Sequence, residues 1–340
     1  MKRILAILRT VCFILAAIGC SVETGGGSSS AAVDEETGEI NYPGDQAVTV
    51  VVPFSAGGEH DLTARAIANE MSKWGYTMVI QNTTGDVATA LDYYHNEKNA
   101  DGYTLLMNSP EVMACAYANG TMSEDIYKDL IYLGNFVFDA GVICVKADAP
   151  YDTLEELIAA AQAAPGTLSW ASVGSAGKNY LDSIEIMNTI GAEFNYVPYP
   201  AANESRAAVL GGHADVFYAY VSGAKATVDS GELKVLAVVG EERSPYFPAA
   251  PTCKELGYDI TAGLTRCWDA HPDTDPAIIE KLTNDLQECL MAEETQEVLD
   301  GMGLAPNWMT NEEMHDFADL WYENYTRLYN ELIASTEQEG

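Results

Sequence analysis

The regular alternation of short apolar runs with helix-like stretches constrains this chain more than any other feature. Seven runs are short, apolar and rich in β-branched residues, as buried strands are: residues 48–52, 78–81, 103–107, 142–146, 168–171, 216–219 and 234–239. The stretches between them show helical spacing of their apolar residues. Strands that alternate with helices in this way predict an α/β fold with largely parallel sheets.

Several helix starts can be predicted from their capping residues. Asp61 stands just before an apolar face that repeats over residues 64–74, where an N-cap residue would lie. Residues 153–156, Thr-Leu-Glu-Glu, have the capping-box pattern, and Asp275 followed by proline predicts another helix start. A long acidic, aromatic-rich helix is predicted from Asn311 to about residue 335.

A small, bare loop follows the first strand-like run. Its sequence is Pro-Phe-Ser-Ala-Gly-Gly, residues 53–58, and a helical pattern comes directly after it. Ligands of parallel α/β sheets bind beyond the carboxyl ends of the strands. Glycine lets a small molecule approach backbone amides closely, and the amides at a helix start favour an anion. The loop is therefore predicted to bind a ligand through its backbone.

Two segments are predicted to cross between two lobes, namely residues 144–150 and residues 238–245. Two crossings make one lobe discontinuous. Lobe 1 is then expected to comprise residues 46–143 plus 243–338, and lobe 2 residues 144–242. Two α/β lobes joined in this way form a cleft that can close on a ligand.

The first 45 residues are not expected to belong to the fold. Residues 1–19 have a basic start and an apolar stretch too short to span a bilayer, which predicts a signal peptide. Small residues before Cys20 resemble a bacterial lipobox, in which Cys20 becomes lipidated. Residues 20–45, with Gly-Gly-Gly-Ser-Ser-Ser, predict a flexible linker. The chain is expected to be extracytoplasmic and lipid-anchored to the membrane; the alternative is an ordinary signal peptide with Cys20 incidental.

The composition excludes several classes of partner. A formal net charge of −34 argues against nucleic acid and anionic lipid headgroups as ligands. The five cysteines after Cys20 form no Cys-x-x-Cys motif, and we expect most of them to be small core residues. A disulfide between Cys253 and Cys267 is the alternative. The scattered histidines form no metal-binding motif, so no metal and no cofactor is expected.

A series of motifs follows in a fixed order along the chain. The first is Pro53 to Asp61 with Ala64-Arg65, and others lie at residues 101–106, 164–166, 197–199, 210–215, 231–238 and 251–257. In this order, over roughly residues 47–305, the motifs resemble those of the solute-binding receptors of tripartite tricarboxylate transporters, the Bug proteins.

The resemblance implies a two-lobed periplasmic-binding-protein fold of type II, the Venus-flytrap fold. Each lobe is then a mixed, mostly parallel sheet flanked by helices. It also implies a monomer without catalysis, which captures a small organic carboxylate and delivers it to membrane permease subunits. The ligand-binding residues that it implies lie in glycine-rich loops and at strand ends: Phe54, Ser55, Ala56, Gly57, Gly58, Asp61, Asn108, Ser109, Ser172, Gly174, Ser175, Ala176, Gly177, Tyr199 and Asp215.

Some of these residues also have an ordinary structural interpretation. The serines and glycines of the loops are either ligand donors or turn residues. Asp61 either caps its helix or contacts the ligand, and Asp215 either fixes its loop or contacts the ligand. Tyr199 lies either in the cleft wall or in the core. Lys178 either pairs with an anion or lies in solvent.

The chain departs from the family pattern in loops on the cleft side. Residues 200–203 replace a usual Lys-Gly, residues 81–86 replace a glycine-rich run, and a usual histidine is absent around residues 178–180. Glu59 and His60 occupy variable positions that are expected to tune specificity. Amino acids, dicarboxylates, tricarboxylates, aromatic acids and non-carboxylates therefore stay open as ligands.

Two other classes of protein are alternatives to a solute receptor. An exported hydrolase is disfavoured because Val173, rather than glycine, stands two residues before Ser175, which the nucleophile-elbow motif does not allow. The opening loop also lacks the Gly-Lys-Ser/Thr of a phosphate-binding loop. A sensory receptor that presents its ligand to a signalling protein has the same sequence features and stays open.

Overall fold

A computed structural model of the protein describes residues 40–83, 90, 94 and 100–338. The predicted signal peptide, Cys20, most of the linker and the departure at residues 84–86 lie outside the described residues. None of the helices in the described part of the chain combines the length and the apolar composition that crossing a membrane requires.

Strands and helices alternate along the described chain, as the sequence predicts. The strands are β1 (Val48–Val52), β2 (Met78–Asn82), β3 (Thr104–Asn108), β4 (Ile131–Lys146), β5 (Ser169–Val173), β6 (Asn195–Tyr199), β7 (Val216–Tyr220), β8 (Leu233–Val239), β9 (Gly263–Ala270) and β10 (Pro306–Met309). The helices are α1 (Glu59–Met71), α2 (Pro110–Ala118), α3 (Glu124–Asp129), α4 (Leu154–Ala163), α5 (Lys178–Ile190), α6 (Ala202–Leu210), α7 (Val221–Asp229), α8 (Pro276–Met291), α9 (Glu293–Gly301) and α10 (Asn311–Gln338).

The strands form two mixed sheets that share β4. The first sheet has the order β2-β1-β3-β9-β4, with β10 also paired to β4. Its strands β1, β2 and β3 are parallel, and β9, β4 and β10 are joined by antiparallel pairing. In the second sheet β5 is parallel to β6 and β7, and the end of β4 pairs antiparallel with β7 and β8.

Each sheet is covered by helices on both faces. One face of the first sheet packs against α1, α8 and α9, and the other against α2, α3 and α10. The second sheet buries α4 and α5 on one face and α6 and α7 on the other. The parallel strands read as continuous apolar runs, such as Val48–Val52, because both of their faces are buried.

The predicted helix starts at residues 153 and 275 are confirmed. The Thr153 hydroxyl accepts a hydrogen bond from the Glu156 amide at 3.2 Å, and the Asp275 carboxylate accepts one from the Ala277 amide at 2.9 Å. The five cysteines after Cys20 are free and buried. Cys253 and Cys267 lie in different parts of the core and are not joined.

The first crossing between the sheets lies inside β4, upstream of the predicted segment 144–150. This strand pairs with β9 up to Ala140 and with β7 and β8 from Gly141 onward. A Cβ atom on residue 141 would meet the Tyr218 hydroxyl at 2.7 Å. Glycine therefore permits the Tyr218 side chain to lie against the β4 backbone at the crossing.

The second crossing lies at Ala262 and Gly263, downstream of the predicted segment 238–245. The Ala262 amide donates to the Val239 carbonyl of the second sheet, whereas Gly263 pairs with Ala140 of the first. The segment before it packs in the second sheet's cores through Phe247, Ala250, Cys253 and Ile260. Strand pairing thus favours lobe boundaries near 140 and 262, and the division into lobes stays a proposal.

The C-terminal helix α10 packs on the first sheet and also reaches the second. Met314, Ala318 and Trp321 belong to the core that contains α2. The Tyr325 hydroxyl donates a hydrogen bond of 2.7 Å to the Asp182 carboxylate in α5, and both side chains are buried. This helix is a third connection between the two halves of the protein, besides the two crossings.

We predict that Tyr325→Phe lowers the free energy of unfolding by about 1–3 kcal/mol, because the buried Asp182 carboxylate loses a donor. Urea unfolding of the variant and the parent measures this change. Leu320→Ala on the same helix is the control, since Leu320 is 64% exposed and should change stability by less than about 0.5 kcal/mol. Equal midpoints for the two variants would contradict the role of Tyr325.

Candidate functional site: the cleft between the two sheets

The Gly57-Gly58 loop makes a tight turn between β1 and α1. The Gly58 amide donates to the Ser55 carbonyl at 3.0 Å, and Gly57 has a φ of 78°, which favours glycine. Ser55, Ala56 and Gly57 are exposed, while Phe54 is half-buried. The turn therefore presents backbone and a small hydroxyl side chain to solvent beyond the end of β1.

Asp61 holds this turn from inside the helix and is not the N-cap. Helix α1 begins at Glu59, so that Asp61 lies in its first turn and Gly58 takes the N-cap position. The Asp61 carboxylate accepts hydrogen bonds from the Gly57 amide at 2.8 Å and from the Asn82 side chain at 3.0 Å. Burial would raise the pKa of Asp61, but these bonds and Arg65 outweigh burial, and the pKa lies below its usual value.

The second predicted loop, Gly174 to Gly177, lies beyond the end of β5. The Gly174 amide donates to the Tyr199 carbonyl at 2.9 Å, and the Tyr196 hydroxyl donates to the Gly174 carbonyl at 2.7 Å. Ser175, Ala176 and Gly177 are exposed. A Cβ atom on Gly57, Gly174 or Gly177 would have no heavy atom within 4 Å. Both loops therefore leave open space above their backbones.

The carboxyl ends of both sheets face each other across one cleft. Strands β1 and β3 lead into α1 and α2, and strands β5 and β7 lead into α5 and α7. The Glu59 carboxylate at the start of α1 lies where a Cβ atom on Gly223 in α7 would meet it at 2.7 Å. Burial raises the pKa of Glu111 in α2, and the charge of Lys178 at the start of α5 opposes this rise. The starts of these helices thus meet between the sheets.

Asn108 and Ser109, at the end of β3, are buried and bonded within the protein. The Asn108 amide donates to Asp269 at 2.7 Å. The Ser109 hydroxyl donates to the Thr265 carbonyl, so it accepts from Nε2 of His60 at 2.8 Å. Burial, followed by the nearby Arg266 charge, lowers the pKa of His60 well below its usual value. Asn108 and Ser109 therefore support the cleft, with His60 neutral and stacked on Phe54.

Three residues predicted in the second lobe have structural contacts. The buried Ser172 hydroxyl donates to the Tyr218 carbonyl at 3.1 Å, and the half-buried Tyr199 packs against the core of α6 and α7. Asp215 accepts hydrogen bonds from the Ser169 amide and hydroxyl at 2.8 and 2.7 Å. Ser169 begins β5, roughly 16 Å from Gly174 at about 3.3 Å per residue. Asp215 therefore fixes its own loop at the amino ends of β5 and β7, whereas Gly174 follows the carboxyl end of β5.

Lys178 is neither solvated nor open to a ligand anion. Its ammonium group forms a buried ion pair of 2.6 Å with Asp182 in the next turn of α5. The rings of Tyr220, Trp321 and Tyr325 lie 5.3–5.9 Å from the ammonium nitrogen. An internal anion and an aromatic cage thus satisfy this cation.

Arg266 in β9 is a cleft residue that the sequence analysis missed. It is fully buried, and its Nη2 contacts Asp139 at 2.8 Å and Glu59 at 3.3 Å. Strand β9 was not predicted, because Arg266 and Asp269 interrupt its apolar pattern. A charged residue inside an otherwise apolar, aromatic run was the available signal.

Two cavities border the region where the sheets meet. One, of about 310 Å³, lies between α1 and α7 and is lined by Glu59, Thr63, Ser222 and Lys225 among others. The other, of about 800 Å³, lies between residues 240–246 and α10. None of the predicted ligand-binding residues lines either cavity.

Two α/β halves joined by crossing strands, with glycine loops at facing strand ends, define a solute receptor of the periplasmic-binding-protein type. Solved structures of other proteins have the same fold. The Rhodopseudomonas palustris protein Rpa4515 with adipate superposes with a TM-score of 0.75 at 23% identity, over 85% of this chain and 97% of that one. MatC of the same species with bound malate gives a TM-score of 0.70 at 21% identity, over 83% and 98%. The predicted two-lobed α/β fold is confirmed.

The family assignment rests on sequence. The family described as "Tripartite tricarboxylate transporter family receptor" matches residues 63–332. A Cupriavidus necator protein, "UPF0065 protein in gbd 5'region", is 31% identical over 272 residues, which are 80% of this chain and 83% of that protein. BugT of Bordetella pertussis is 29% identical over 310 residues, 89% and 92% of the two chains. The chain belongs to the tripartite tricarboxylate transporter receptor family, as predicted.

Proposed function

We propose that this protein is a lipid-anchored extracytoplasmic receptor that captures a small organic carboxylate and delivers it to a tripartite permease. The observation that carries the proposal is the pair of bare loops at facing strand ends. Gly57 in one and Gly174 and Gly177 in the other have open space above their backbones. A ligand can therefore lie directly on the main chain of either sheet.

The chemistry of the loops suits a carboxylate. Each loop leads into a helix, α1 or α5, whose first amides point toward the cleft and whose dipole favours negative charge. Because each sheet supplies one such start, a molecule with an acidic group at each end can contact both. Those contacts exist together only in the closed form, so the ligand stabilises closure. MatC with bound malate and Rpa4515 with adipate, which share this fold, hold molecules of this kind.

The proposal is tested by native mass spectrometry and a thermal-shift panel on the exported chain carrying Cys20→Ser. We expect a co-purified small acid, or a rise in melting temperature with one of malate, succinate, adipate, citrate, aspartate or benzoate. At a hundredfold excess over Kd, the ligand adds about 2.7 kcal/mol to stability. A panel without any shift, together with a co-purified neutral molecule, would remove the carboxylate from the proposal.

The Gly177 position gives a clean test of the second loop. Gly177 is exposed, has a φ of −95°, and has room for a side chain, so Gly177→Leu introduces bulk without backbone strain. We expect the affinity for the bound acid to fall at least tenfold and the melting temperature to change little. Titration calorimetry measures the affinity.

Ser123→Leu is the matched control for Gly177→Leu. Ser123 is also an exposed N-cap residue without a side-chain capping bond, and it lies before α3, outside both loops. Its variant should bind with the parent's affinity. Equal affinities for all three proteins would place the ligand away from the Gly174 to Gly177 loop.

The lipid anchor at Cys20 is tested by fractionation of cells that produce the full chain. We expect the parent protein in the membrane fraction and the Cys20→Ser variant in the soluble extracytoplasmic fraction, because one acyl-modified cysteine is the only anchor proposed. Identical fractionation of the two would favour an ordinary signal peptide.

A further inference from the structure

The guanidinium of Arg266 is buried with part of its hydrogen-bonding capacity unused. Its Nη2 contacts Asp139 at 2.8 Å, whereas its Nε and Nη1 find no hydrogen-bond partner among the described residues. Buried arginine donors without partners are costly, so they are rare unless a ligand completes them. Arg266 follows directly on Thr265, whose carbonyl accepts from Ser109 at the end of β3. The group therefore lies at the carboxyl ends of the first sheet.

Glu59 makes a weak second contact with this group. Its Oε2 lies 3.3 Å from Nη2 of Arg266, longer than a good charge-assisted hydrogen bond. The Glu59 side chain is 28% exposed, whereas Arg266 and Asp139 are fully buried. Glu59 comes from the first turn of α1, directly after the Gly57-Gly58 loop. It is the movable member of the cluster.

The surroundings of Glu59 leave room for another molecule. A cavity of about 310 Å³ borders it, between α1 and α7. The other face of its carboxylate lies against Gly223, where any Cβ atom would clash. The Glu59 carboxylate thus lies between the two halves of the protein, contacts the Arg266 guanidinium and borders the cavity. A ligand carboxylate captured in the cleft would need the same three features.

We propose that Arg266 is the charged seat for the ligand's carboxylate and that Glu59 occupies this seat until the ligand displaces it. The inference rests on the proposed function and names a contact within it. Binding is then an exchange of one carboxylate for another on the same guanidinium. One oxygen of the ligand's carboxylate replaces Glu59 at Nη2, and the other gives a partner to Nε or to Nη1 on the same edge of the guanidinium. The displaced Glu59 side chain turns toward the cavity.

The charges around Glu59 make this exchange sensitive to pH. Arg266 of β9 and Arg206 of α6 attract it, Asp139 of β4 repels it, and Lys225 and Asp229 of α7 line the same cavity. The neighbouring His60 is neutral. Burial, opposed by Arg266, raises the pKa of Glu59 to about 7. A protonated Glu59 competes less for the seat, so the ligand binds more tightly below pH 7 than above it.

Acetate tests the seat independently of the natural ligand. Glu59→Ala vacates Arg266, and we expect 100 mM sodium acetate to raise the melting temperature of this variant by about 2–4 °C over sodium chloride at equal ionic strength. The parent protein should shift by less than half as much. Glu70→Ala is the matched control, because Glu70 lies on the same helix and pairs with Lys73 away from the cleft.

The outcomes separate the inference from the proposed function. Equal acetate shifts in the parent, Glu59→Ala and Glu70→Ala overturn the seat, even if the panel of acids finds a ligand for the parent. A selective shift in Glu59→Ala supports the seat, even if no acid of the panel binds the parent. For an acid that binds, the affinity of the parent should fall about tenfold from pH 6 to pH 8 and that of Glu59→Ala should not change.

Discussion

The hydrogen bonding of β4 into both sheets fixes the arrangement on which every other feature depends. One strand of 16 residues, Ile131–Lys146, pairs with β9 over its first part and with β7 and β8 over its last. Because a strand is stiff along its hydrogen-bonded length, the sheets cannot rotate freely about it. The glycines at positions 141 and 263 leave room for the Tyr218 and Phe138 side chains at the crossings. The carboxyl ends of β1, β3, β5 and β7 then face one another, and the Gly57 and Gly174 loops lie beyond the ends of β1 and β5.

The buried charges of the cleft differ in how completely the protein satisfies them. Lys178 has Asp182 and three aromatic rings, and Asp182 has three donors. Glu111 accepts from the amide and the hydroxyl of Thr265. Because breaking such a completed group leaves a buried charge unpaired, these groups are poor ligand contacts. Arg266 is only partly satisfied. Ligand binding is therefore expected at groups that lack a full set of partners, namely Arg266 and the backbone of the Gly57 and Gly174 loops.

Features that local sequence patterns encode could be predicted, whereas features that depend on residues distant in the sequence were missed. Apolar runs and capping residues located most strands and the starts at 153 and 275, and the ordered motifs identified the family. The Gly57 and Gly174 loops could be placed because glycine and strand ends have local signatures. Strand β9 was missed because its polar residues are paired by distant partners, Asp139 and Asn108. Asp215 bonds to Ser169 at the amino end of β5, a position in the sheet that its motif does not show. The Asp61 carboxylate accepts a hydrogen bond from the Gly57 amide of the preceding loop. The position of Asp61 in the sequence does not distinguish this role from that of an N-cap residue.

A chain with a net charge of −34 can still hold an anion, because the relevant charges act over different distances. Exposed acidic residues are screened beyond about 8 Å at physiological ionic strength, whereas a buried guanidinium acts on its neighbours in a medium of low dielectric constant. The position of Arg266 in turn depends on the crossing strand β4. Asp139, its partner, also accepts hydrogen bonds from the Ser222 amide at 3.1 Å and hydroxyl at 2.5 Å, at the start of α7. Because Asp139 belongs to the crossing strand and Ser222 to the second sheet's helix, a change in the angle between the sheets strains these bonds. The orientation of the guanidinium is thereby tied to the angle between the two sheets.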